Sequence, residues 1–69
     1  MKKKLVQAAV WNRHRNVIKA FNIYNYKSVA ELEAAMREFC RKRKAYGITY
    51  IYDDNSSISE LVENIYNFD

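Results

Sequence analysis

Ser28-Val29-Ala30-Glu31-Leu32-Glu33-Ala34-Ala35-Met36-Arg37-Glu38-Phe39-Cys40-Arg41-Lys42-Arg43-Lys44 is the stretch on which the fold turns. Ser28 and Glu31 have the spacing of a capping box, in which the serine oxygen accepts an amide hydrogen bond and the glutamate reaches back. Val29, Leu32, Met36, Phe39 and Cys40 then recur at helical spacing and give one apolar stripe. Glu33–Arg37 and Glu38–Lys42 are i,i+4 pairs in the favourable order. The basic run Arg41 to Lys44 falls where the helix dipole prefers cations. Gly47, the only glycine, is expected to end the helix just beyond Tyr46 as a left-handed cap.

Upstream, the pattern changes period. Residues 5 to 11 alternate, with Val6, Ala8 and Val10 on one face and Leu5, Gln7, Ala9 and Trp11 on the other. Residues 17 to 26 are β-branched and aromatic. Both read as strands joined by a loop over Asn12 to Asn16. A single long helix carrying Val6, Val10, Val17, Phe21 and Tyr24 is the rival, and the asparagines and tyrosines between 12 and 26 weigh against it. Downstream, Ile48-Thr49-Tyr50-Ile51-Tyr52 reads as a third strand and Asp53 to Ser56 as a loop. Ser57-Ile58-Ser59-Glu60 reads as a second capping box, opening a short helix with Ile58, Leu61, Val62, Ile65 and Phe68 on one face.

The expected class is therefore α+β: one small domain in the order β-β-α-β-α. Two helices lie on one face of a three-stranded, mostly antiparallel sheet. The first two strands are antiparallel, and the pattern leaves the direction of the third open. Residues 1–69 form a single domain, with residues 1–4 as a basic lead. A chain of this length buries only roughly 60% of its unfolded surface, so its stability margin is thin and a partner or a second copy would add to it.

Bulk composition narrows the class further. Hydrophobic residues make up 49% and charged residues 29%, with no proline, which excludes a disordered tail or a fibrous repeat. The apolar runs are too short to span a bilayer. Met1-Lys2-Lys3-Lys4 looks like the start of a secretory signal, but the apolar stretch Leu5 to Trp11 that follows is short and broken by Gln7, and no small-residue cleavage pattern comes after it. With one cysteine, the reading is a cytoplasmic setting without membrane partners. Abundant Lys, Asn, Ile, Tyr and Phe have AT-rich codons and point weakly to a low-GC bacterium or its phages.

The residue types that carry chemistry do not assemble into a catalytic pattern. His14, the only histidine, lies between Arg13 and Arg15 with no acidic neighbour to orient it. Cys40 falls on the apolar stripe, where a thiol behaves as a small hydrophobe. Asp53-Asp54-Asn55 starts like a calcium loop, but the positions for glycine and glutamate hold Ile58 and Asn64. Gly47-Ile48-Thr49-Tyr50-Ile51-Tyr52 invites comparison with the GIY-YIG nucleases. The two fragments are fused here, the second glycine is missing and no arginine follows Arg43, so the comparison fails. The reading is a protein without an enzyme site, cofactor or metal.

What remains is charge and aromatic surface. The net charge is +4 and the isoelectric point about 9.3. One basic group is Arg13-His14-Arg15 with Lys19 nearby; the other is Arg41, Arg43 and Lys44 at the helix end. Tyr24, Tyr26, Tyr50 and Tyr52 exceed what two helices can cover, which implies an open sheet face or edge, and Trp11, opposite the Val6-Ala8-Val10 face, is expected to share it. Aromatic rings interspersed with arginine are interface-like. These residues are the expected partner-binding set. The leading expectation is a protein-binding module that docks on a larger protein or nucleoprotein and modulates it, a phage-type inhibitor being one example. The alternative is a nucleic-acid binder that uses the hairpin tip and the helix end. A homodimer is compatible with both.

Overall fold

In the computed structural model, residues 3–66 are described. The strands are β1 (Leu5–Trp11), β2 (Val17–Asn22), β3 (Gly47–Tyr52) and β4 (Ser57–Leu61); the helices are α1 (Val29–Arg43) and the one-turn α2 (Val62–Ile65). A 3₁₀ turn over Ile23–Asn25 connects β2 toward α1. The sheet has four strands, not three, in the order β2-β1-β3-β4, and every neighbouring pair is antiparallel. β2 and β3 flank β1 and so run parallel to each other, with α1 as the crossover between them.

Both helices lie on one face, as expected. Ala8, Val10, Phe21 and Ile48 of the sheet meet Leu32, Met36 and Cys40 of α1, and Val62 of α2, in one buried cluster. Phe39 sets its ring edge-on to Phe21, centroids 5.8 Å apart. α2 lies beside α1: Ile65 and Tyr66 share a depression with Ala34 and Arg37 over Tyr50. Phe68, expected on that apolar stripe, lies outside the described residues, as do Met1 and Lys2 of the basic lead.

The first capping box forms, since the Glu31 amide donates to Ser28 Oγ at 3.2 Å. The Glu31 carboxylate reaches one residue further back than the motif requires and accepts from the Lys27 amide at 3.0 Å. The second capping box does not form. Ser57 pairs with Ile51, and Ser59 with Thr49, in strand β4. Ser57, Ser59 and Leu61 face one way and Ile58 and Glu60 the other, a period of two that suits the vacant edge of β3. The helix begins only at Val62, whose amide donates to the Tyr46 carbonyl at 3.0 Å.

Three further expectations are corrected. Lys44, not Gly47, takes the left-handed position after α1, with φ 52° and ψ 49°. β2 stops at Asn22 rather than Tyr26, because Asn22 Oδ1 accepts the Tyr24 amide at 3.0 Å and starts the 3₁₀ turn. Leu5 was expected on the face opposite Val6. The β1–β3 register shifts between Leu5 and Gln7, and Leu5 packs against the core instead.

Candidate functional site

The face of the sheet turned away from the helices follows directly from the strand register. β1 contributes Gln7, Ala9 and Trp11; β2 contributes Val17, Ala20 and Asn22; β3 contributes Gly47, Thr49 and Ile51; β4 contributes Ser57, Ser59 and Leu61. No residue of this set is charged, in a chain that is 29% charged. The opposite face carries Lys19 and Glu60 among its exposed positions. Among the described residues no helix lies on this face, and Val17 at its rim is 61% exposed.

Trp11 is its largest side chain, and the ring is held at several points. The indole N–H donates to Thr49 Oγ1 at 3.1 Å. That oxygen lies 2.9 Å from Ser59 Oγ, so a polar chain crosses three strands. Tyr46 packs on the indole at 5.7 Å between centroids, and the Arg15 guanidinium sits 5.9 Å from the ring. The ring itself lies across Gly47, where a Cβ would overlap it. A tryptophan fixed in this way loses little conformational freedom on binding. Trp11, Arg15, Val17, Thr49 and Ser59 line a shallow groove at this end of the face.

The loop between β1 and β2 is built by Asn12. Its Oδ1 accepts the amides of His14 at 2.9 Å and Asn16 at 3.0 Å. Arg15 takes a left-handed φ of 65°. Arg13, His14 and Arg15 are all exposed. Because β3 starts opposite Trp11, the end of α1 arrives at the same end of the molecule as this loop. The two basic groups, far apart in sequence, therefore converge. Lys19 and Arg43 line one depression of about 450 Å³, together with Asn12, Ile18 and Phe39. Arg41 is engaged by Glu38, and Lys42 Nζ lies 3.8 Å from the same carboxylate. The Arg41 hydrogen bond is the main reason the Glu38 carboxyl titrates below its usual range.

The tyrosines divide differently from expectation and do not line the open face. Tyr26 is half-buried against Phe21, with ring centroids 6.3 Å apart. Tyr50 faces the helices, and burial pushes its phenol up to about 12. Tyr24 is 83% exposed on the 3₁₀ turn. Lys3 Nζ sits 5.8 Å from the ring of Tyr52. Tyr24, Tyr50 and Tyr52 line a cleft of about 760 Å³ with Leu5, Val6 and Val29, at the end opposite the basic groups.

The predicted site residues thus fall into three places. Trp11 belongs to the open face, and Arg15 to the loop at its rim. Arg13, His14, Lys19, Arg41, Arg43 and Lys44 belong to the basic end. Tyr24, Tyr50 and Tyr52 border the cleft, while Tyr26 packs against the core. Sequence reasoning missed Val17, Ala20, Thr49, Ile51, Ser57 and Ser59. Their signal was a charge-free register, visible only once Ser57 to Leu61 is read as a strand.

Cys40 is buried, and desolvation pushes its thiol up to about 11. Among the described residues, no cluster of three or more His, Cys, Asp or Glu is placed to hold a metal. None of their helices is long and apolar enough to cross a membrane. No protein-family model matches the chain, and no curated protein or solved structure is detectably similar to it.

Proposed function

We propose that this protein is a non-catalytic module, working in the cytoplasm, that docks a larger protein on its open sheet face and modulates that partner by occupying its surface. The observation that carries the reading is the absence of charge across that face. Interface cores are depleted in charged residues and enriched in anchored aromatics. Trp11 and the small residues around it have that character, and Arg15 supplies the polar rim. Inhibition by steric cover, the phage-type case, needs no catalytic group and suits a domain of this size.

Site-specific photo-crosslinking in the native host tests the reading. A benzoylphenylalanine is placed at Val17, Ala20 or Ser59 on the sheet face, and at Glu31 or Ala34 on α1. Crosslinks to one partner protein from the sheet positions only are the expected result. Crosslinks from α1 only, from both sets alike, or from the sheet face to a second copy of this chain would overturn it.

A further inference from the structure

We infer that the basic end is a second, separate binding site, whose ligand is the sugar-phosphate backbone of a polynucleotide. It rests on different residues from the docking face and stands without it. Arg13 and Lys19 come from the first hairpin, Arg43 and Lys44 from the end of α1, and the fold brings them to one end. None of the four makes a carboxylate ion pair among the described residues, whereas Arg41 and Lys42 both engage Glu38. The nearby sequence offers no compensation either, since no aspartate or glutamate precedes Glu31. Glu60 lies in the same row of the sheet as Lys19 but on β4, the opposite edge from β2, and it makes no ion pair with any of the four. Lys19 Nζ sits 5.8 Å from the Phe21 ring, which leaves its charge unneutralised, and like charges held together without a counter-charge cost free energy unless an anion joins them.

The shape selects between anions. Lys19 and Arg43 line a depression that Ile18 and Phe39 also line, and Ile18 is among the exposed hydrophobic residues. Cations beside an exposed apolar surface complement a polymer that alternates phosphates with sugars and base faces. A carboxylate-bearing protein surface offers the charge without the regular apolar component. Arginine also matches phosphate oxygens with two parallel donors.

The test is fluorescence anisotropy with labelled 20-nucleotide single-stranded and duplex DNA, from low to near-physiological salt. The expected result is binding to at least one form, with affinity that falls steeply as salt rises. Lys19→Gln combined with Arg43→Gln is expected to weaken binding about tenfold at low salt. It should also flatten the log–log salt slope by roughly 1.4 for single strands or 1.8 for duplex, the loss of about two phosphate contacts. Lys27→Gln removes a cation outside the basic end and is expected to leave the slope unchanged. Binding to one DNA form only still supports the site and identifies which backbone geometry it accepts. No binding to either form at low salt would overturn the proposal. So would an equal loss from Lys27→Gln, which would reduce the effect to net charge. Competition by polyglutamate at the same charge concentration, as effective as unlabelled DNA, would assign the patch to an acidic protein instead.

Discussion

At Gly47 the backbone is extended, and no glycine in the described chain has a positive φ. The residue is needed for space. A Cβ at this position would enter the Trp11 ring, which is itself tied to Thr49 and packed by Tyr46. Gly47→Ala must therefore push the indole off the sheet, and overpacking of this kind costs about 1–3 kcal/mol. Urea unfolding is expected to show that loss, along with a changed tryptophan emission. An unaltered midpoint would mean that the ring is free to move aside. At the same scale, sequence alone identified Trp11 as a surface aromatic and Cys40 as a core residue. It could not say that Gly47 serves the tryptophan and not the helix, because that pairing joins residues 36 positions apart through the β1–β3 register.

At the scale of elements, α1 was legible because its signals are local. Ser28 caps it, one stripe faces the sheet, and cations fill the last turn. Its ending was not legible. Gly47 looked like the stop, yet Lys44 takes the left-handed turn so that Gly47 can enter β3 beneath Trp11. A lysine in that conformation carries a cost that glycine does not. Lys44→Gly relieves a left-handed cost of roughly 1–2 kcal/mol against an entropic cost of glycine of about 0.5–1 kcal/mol, so a net stabilisation of about 0.5–1 kcal/mol is expected, read as a raised urea midpoint. A lowered midpoint would show that the lysine side chain contributes more than its backbone strain costs. β4 was misread for a related reason. Ser-Ile-Ser-Glu-Leu satisfies a capping box and a strand alternation equally well. The choice is made by β3, which would otherwise leave its outer row of peptide groups without partners.

For the molecule as a whole, the radius of gyration is 11.6 Å, against about 11 Å expected for a compact chain of this length. One helical layer covers one side of the sheet and leaves the other uncharged and open. The basic end and the tyrosine-lined cleft lie at opposite ends of the strands. The candidate surface was half legible in the sequence. An open face, Trp11 and the arginines beside it were expected; the tyrosines assigned to it turned out to face the helices or the cleft. That assignment depends on which way β3 faces, and the pattern Ile48 to Tyr52 is apolar or aromatic on both sides apart from Thr49.

The proposed docking of a protein partner places that partner on the uncharged face. The most direct test measures the affinity of the purified partner, by calorimetry, for Val17→Glu and Ala20→Glu, each checked for an unchanged circular dichroism spectrum. Ala30→Glu on the exposed side of α1 serves as the control. Docking on this face predicts that each sheet-face charge weakens binding at least tenfold, about 1.4 kcal/mol, while Ala30→Glu leaves it unchanged. Full affinity in both sheet-face variants, or loss in Ala30→Glu alone, would contradict it.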